Sequence, residues 1–147
     1  MLKRSEALNE VKKNFNFLIS DYGFKGPFQW NIAYEQEYTY VNGQIYINIA
    51  YDGAFFVSIG KTRKFIKEFS TGQLHLEQIS YKEQTSHDIY DLLSKEEKIK
   101  ISNEKNAVGV LVYLANVIRK NSEILYGNWY KFSFFYRLSR LIFKKRR

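Results

Sequence analysis

Glu35 and Glu37 stand two residues apart in an alternating stretch, the spacing that puts two carboxylates on one face of a strand. Such a pair suits general acid–base work when one carboxyl is held protonated, and it suits contact with a basic partner equally well. The two histidines, His75 and His87, lie twelve residues apart, and His75 shares its expected strand face with Glu77. A metal site needs more converging ligands than this spacing supplies, and a Ser-His-Asp arrangement cannot be recognised from spacing. Gly60-Lys61-Thr62 has the ending of a phosphate-binding loop, but that motif requires Gly five residues before the second Gly, and position 55 is Phe. It reads as a basic turn. The absence of cysteine removes thiol nucleophiles, thiolate metal sites and disulfides together. No cofactor and no metal are expected, and the residues point to binding instead of catalysis.

The strongest chemical signal is at the C-terminal end. Residues 127–147 hold seven of the 23 Lys and Arg residues and none of the 15 acidic ones, whereas residues 1–126 hold sixteen basic against fifteen acidic. The formal charge of +8 is therefore almost entirely a property of one end. A nucleic-acid-binding domain carries its basic footprint across a folded face, which this distribution does not provide. If residues 129–144 are helical, Ser133, Arg137, Arg140 and Lys144 fall within one narrow arc, with Trp129, Phe132, Phe135, Leu138, Leu141, Ile142 and Phe143 around the rest. That pattern fits a core helix with a solvated cationic edge followed by a basic tail. It also fits a helix lying on an anionic membrane surface. Stacking on single-stranded nucleic acid ranks third, because no RNA or DNA motif accompanies it.

These residues need elements to position them. From Ser5 to Ser20, Ala7, Leu8, Val11, Phe15, Leu18 and Ile19 recur at helical spacing, with Ser5 as N-cap and Gly23 as the stop. Gly26-Pro27 reads as a turn into extended chain. The stretch from Gln29 to Val41 reads as one strand, with Trp30, Ile32, Tyr34, Tyr38 and Tyr40 on one face and Gln29, Asn31, Glu35, Glu37 and Thr39 on the other. Asn42-Gly43 predicts a two-residue hairpin loop that sets Tyr40 against Ile45 and Tyr38 against Ile47. A three-residue loop, Tyr51-Asp52-Gly53, then sets Ile49 against Phe55 and Ile47 against Val57. Gly60-Lys61-Thr62 turns toward Arg63 to Phe69, and Ser70-Thr71-Gly72 leads to a weaker extended segment, Gln73 to Tyr81. Thr85 or Ser86 caps a short helix through Leu93, and Lys95 to Lys100 is a charged connector. Asn103 to Leu125 carries the clearest helical stripe in the chain, ended by Gly127.

The expectation is an α+β fold: an antiparallel meander sheet of four to five strands, with an N-terminal helix and C-terminal helices packed on one face. A chain of 147 residues makes that a single domain, 1–147, with a basic helix and tail at 129–147. Met1-Leu2-Lys3-Arg4 is followed by Glu6, Asn9 and Glu10 where a signal peptide needs apolar residues, and no apolar run is long enough to span a bilayer. The expected location is cytoplasmic, with a peripheral position at the inner membrane face if the tail binds lipid.

Three stretches carry a resemblance. Phe15-Asn16-Phe17-Leu18 running to Asp21-Tyr22-Gly23-Phe24 is the first, and Tyr40-Val41-Asn42-Gly43 with Ile45, Ile47, Ile49, Tyr51 and Asp52 is the second. The third is Leu111 to Ala115 leading to Ile124-Leu125-Tyr126-Gly127-Asn128-Trp129. Together they resemble a loose group of small bacterial proteins found beside polymorphic or contact-dependent toxins and treated as immunity proteins. The resemblance implies a protein partner, a toxin domain, and no catalytic residues. The basic tail after Phe143 departs from the group's usual ending. The expected partner-binding residues are Glu35, Glu37 and Tyr46 on the polar sheet face, and Arg137, Arg140 and Lys144 in the basic segment.

Overall fold

The computed structural model of the chain describes residues 1–32, 35–42, 45–61 and 87–126. Helix α1, Arg4–Tyr22, ends where Gly23 adopts a left-handed φ of 71° and its N–H closes back on Ile19 and Leu18. The helix begins earlier than expected: Lys3 takes the N-cap position and Ser5 lies within the first turn. The Lys3 N–H donates to Glu6 Oε2 at 2.8 Å, so a carboxylate from the first turn, and not the Ser5 hydroxyl, satisfies a backbone group at the helix start.

The region expected as one long strand is two. Strands β1, Lys25–Ile32, and β2, Glu35–Val41, pair antiparallel, with Ile32 opposite Glu35 and Trp30 opposite Glu37. Reversing the chain there inverts parity, so even positions of β1 fall in rows with odd positions of β2. Gly26-Pro27 lies inside β1, at an irregularity between Lys25 and Phe28, instead of forming a separate turn. An edge strand tolerates proline at such a bulge because its missing N–H interrupts no central ladder.

Strands β3, Ile45–Tyr51, and β4, Phe55–Lys61, complete a four-stranded antiparallel meander, and the two-residue strand β5, His87–Asp88, pairs on its outer edge. Both expected registers are off by two residues. Tyr40 faces Ile47 and Tyr38 faces Ile49, and the Asn42 N–H donates to Ile45 O at 3.2 Å while Asn42 Oδ1 accepts from the Ile45 N–H at 2.9 Å. Asn42 thus closes the turn from its first position. The second loop keeps its expected length of three but consists of Asp52, Gly53 and Ala54, with Gly53 at φ 104° and Tyr51 opposite Phe55. Gly60 and Lys61 belong to β4 and form no turn. The strands expected at Arg63 to Phe69 and Gln73 to Tyr81 lie outside the described residues.

Beyond β5, a 3-10 turn runs from Ile89 to Leu92 with Asp88 as its cap, where a short helix from Thr85 or Ser86 was expected. The charged connector is a helix instead: α2, Lys95–Asn103, is started by Ser94 and Glu97, each side chain bonding the other's backbone N–H. Helix α3, Ala107–Lys120, is capped by Asn106, whose Oδ1 accepts from the Val108 N–H at 3.0 Å. It ends before Leu125, and a 3-10 segment, Ser122–Tyr126, follows.

The helices gather on one sheet face. Ala7, Val11, Phe15 and Leu18 of α1 and Leu111, Leu114 and Ile118 of α3 pack with Tyr38, Tyr40, Ile47, Ile49, Val57 and Ile59 in one core. Phe15 stacks near Phe17 and Tyr40, and the Arg119 guanidinium lies 4.5 Å from the Phe17 ring, tying α3 to α1.

Tyr40 carries a cost within this core. Its ring is fully buried, its Oη has no hydrogen-bond partner among the described residues, and burial pushes the phenol well above the usual tyrosine range. Tyr40→Phe is expected to raise the unfolding free energy by about 1 kcal/mol, because a desolvated hydroxyl disappears while the ring remains. Urea unfolding of the two proteins measures this, and a loss of similar size would show that the hydroxyl is engaged.

Candidate functional site

The face opposite the helices is where the expected sheet residues meet. Along β2, Glu35, Glu37, Thr39 and Val41 take the positions alternate to Tyr38 and Tyr40, and the register aligns them with Tyr46, Asn48 and Ala50 of β3 and with Phe56, Ser58 and Gly60 of β4. Three rows result. Thr39, Asn48, Ser58 and Asp88 form a polar row that crosses the sheet and ends at Phe28 of β1, flanked by the row Glu37, Ala50, Phe56 and by the row Val41, Tyr46, Gly60.

Thr39 is wholly buried and donates its hydroxyl to Asn48 Oδ1 at 2.7 Å. Occupying that oxygen leaves the Asn48 amide N–H groups to serve the Glu37 carboxylate, whose charged form the Asn48 side chain favours. Burial raises the Glu37 pKa above its ordinary value, the Asn48 hydrogen bond opposes the rise, and the nearby Glu35 charge adds to it. Half-buried Glu37 is therefore a carboxylate whose charge is costly until a cation arrives, beside Glu35, which is exposed. Asp88 is raised in the same way, by burial first, with the Tyr90 N–H opposing and Asp91 adding. Its Oδ1 accepts from that N–H at 2.9 Å, so its role is tied to the 3-10 turn.

The Glu37 shift has a testable sign. A carboxyl whose folded pKa exceeds its unfolded one binds more protons when folded, so stability falls as pH rises from the unfolded value through the raised folded one. Glu37→Gln keeps the acceptor and lacks the titration. Its stability relative to the parent is expected to match below that window and to climb through it to a plateau, read from urea midpoints across pH. A difference that ran the other way would show a carboxylate already satisfied.

Tyr46, expected as an open-face anchor, lies on this face but is buried, 5 % exposed. Its ring crosses Gly60, where an added Cβ would come within 2.6 Å of ring atoms, so glycine at 60 makes room for an aromatic residue instead of a turn. Phe56, in the Glu37 row, is 50 % exposed. The structure thus brings Glu35, Glu37 and Tyr46 to one face. Arg137, Arg140, Lys144 and His75 lie outside the described residues, and His87 sits in β5 opposite Ile59. Among the described residues no group of three or more His, Cys, Asp or Glu side chains is placed to hold a metal ion, and no helix is long and apolar enough to cross a membrane.

Sequence reasoning missed Asn48, Ser58 and Asp88. Asn48 between Ile47 and Ile49, and Ser58 between Val57 and Ile59, carry a period-two signal that marks them for the face away from the core. Asp88 has no such mark. No protein-family model, no curated protein and no solved structure matches the chain.

Proposed function

We propose that this chain is a non-enzymatic partner-binding protein of the bacterial cytoplasm, an immunity protein that neutralises a cognate toxin by covering its active site. The observation that carries the reading is the row formed by Glu37, Ala50 and Phe56: a carboxyl half removed from water and, across the small Ala50, an exposed aromatic ring, with exposed Glu35 two residues along β2. An arginine or lysine from a partner recovers the charged state of Glu37, and the ring supplies apolar contact. Protein interfaces concentrate their energy in such anchors within a patch of about 800 Å² on each side. The resemblance to immunity proteins supports the same reading. A membrane-surface role through residues 129–147 draws no support from the described residues.

The test uses the products of the genes on either side of this one. Co-expression of the full chain is expected to rescue growth from the toxic neighbour, and Glu35→Lys/Glu37→Lys is expected to weaken the purified complex at least tenfold. Neighbours that are neither toxic nor bound, or a complex indifferent to that charge reversal, overturn the reading.

A further inference from the structure

Ala50 leaves a gap in the middle of the row that carries the partner-binding reading. Glu37 and Phe56 flank it on opposite sides, each directly opposed to it across a strand pair, at about 5 Å between Cα atoms. Their own Cα atoms are therefore about 10 Å apart, and only the methyl group of Ala50 stands between the two longer side chains. Ala50 is half-buried, and Phe56 is exposed and packs on no other ring among the described residues. The row holds no lysine or arginine of its own. We infer that this gap takes an arginine side chain of the partner in preference to a lysine, its guanidinium over Ala50, one edge on the Glu37 carboxylate and the Phe56 ring closing the other side. The inference rests on the partner-binding reading and names the group that the partner supplies.

The two cations differ in what they require of such a gap. A lysine ammonium is a compact, strongly hydrated charge that one carboxylate oxygen satisfies while water serves its remaining donors. Pressing it between a carboxylate and an aromatic ring removes that water without replacing its hydrogen bonds. A guanidinium is planar and more weakly hydrated, and its paired N–H donors match both oxygens of a carboxylate. Glu37 has acceptor capacity for them: a carboxylate offers about four lone-pair sites, more than the Asn48 amide can fill. Burial supplies the drive, because it disfavours the Glu37 charge until a cation arrives. With the guanidinium above Ala50, midway along the row, the Phe56 ring lies within the ~6 Å over which an aromatic face attracts a cation. Exposed Glu35, two residues along β2, adds negative potential without entering the gap. The other raised carboxyl, Asp88, offers no equivalent place. Its Oδ1 already accepts from the Tyr90 N–H, and the Tyr90 ring already carries the Lys98 ammonium at 5.2 Å.

Two short peptides of equal charge, acetyl-Gly-Arg-Gly-amide and acetyl-Gly-Lys-Gly-amide, test this on the full-length protein by NMR titration of the Ala50 and Asn48 amide signals. The arginine peptide is expected to shift both signals saturably, with a dissociation constant at least about threefold below that of the lysine peptide, the size of an exposed cation–π contact. Ala50→Val fills the gap and Phe56→Leu removes the ring, and each is expected to bring the arginine peptide to the level of the lysine peptide. Glu37→Gln is expected to abolish the shifts from both. Native-like spectra away from the row show that the variants are folded. Equal affinities for the two peptides in the parent chain, no saturable shift at Ala50, or shifts confined to Asp88 and Asp91 overturn the inference. If the inference falls in this way while Glu35→Lys/Glu37→Lys still weakens a complex with the neighbouring gene product, the partner-binding reading stands alone. Arginine selectivity at Ala50 with no neighbour bound is the converse result and supports the inference without that reading.

Discussion

Phe15→Ala is expected to lower the unfolding free energy by about 3 to 5 kcal/mol, the range for removing a fully enclosed phenylalanine. Phe15 is fully buried, and its ring centroid lies 6.1 Å from Phe17 and 6.3 Å from Tyr40. It therefore joins α1 to β2 and supports the residue beneath which Arg119 of α3 rests. Truncation leaves a void lined by stiff rings and β-branched side chains that cannot collapse into it. The urea midpoint should fall with an unchanged slope, because the surface exposed on unfolding is nearly the same. Phe15→Leu should recover much of the loss by refilling the volume. A drop below about 1 kcal/mol would mean that α1 is not fixed to the sheet through this side chain.

The helices and strands were readable to the extent that their signals are local. The Gly23 stop, the positive φ at Gly53 and the three-residue length of its loop follow from what glycine alone permits. Strand register is another matter. A slip of two residues keeps every Ile and Tyr on its face, so the hydrophobic pattern could not distinguish Tyr40 opposite Ile45 from Tyr40 opposite Ile47. The choice is made by Asn42, which accepts from the Ile45 N–H through its side chain. The division of β1 from β2 escaped because no Gly, Pro, Asn or Asp marks positions 33 and 34; the available clue was Gln36, where the alternation of Trp30, Ile32 and Tyr34 called for an apolar residue. Helix α2 escaped for a different reason: it buries no residue fully, so its stripe is too thin to register, and the Ser94/Glu97 pair was its legible mark. The same dependence governs the site. Glu35 and Glu37 were legible as a wet strand face, but the wiring of Glu37 through Asn48 to Thr39 exists only in the register that the turn selects.

Gly26→Ala is expected to cost about 3 kcal/mol, through backbone strain and overlap together. Gly26 adopts φ 137°, and a Cβ there would lie 2.6 Å from Thr39 O and 3.2 Å from Tyr40 Cα. Neither is a side chain that can rotate away. Gly23 separates the two causes: it also has a left-handed φ, of 71°, but a Cβ there meets nothing within 4 Å, so Gly23→Ala should cost only about 1 kcal/mol. The larger loss at 26 then measures how firmly the β1 bulge is held against β2. Because the obstructing oxygen belongs to Thr39, whose hydroxyl orients Asn48 toward Glu37, relief of the overlap must move the residue that sets this network. Gly26→Ala should therefore alter the pH dependence that Glu37→Gln removes, whereas Gly23→Ala should leave it as it was. Equal losses at the two glycines, with the same pH profile in both variants, would show that the bulge yields freely and that the site face is not positioned by it.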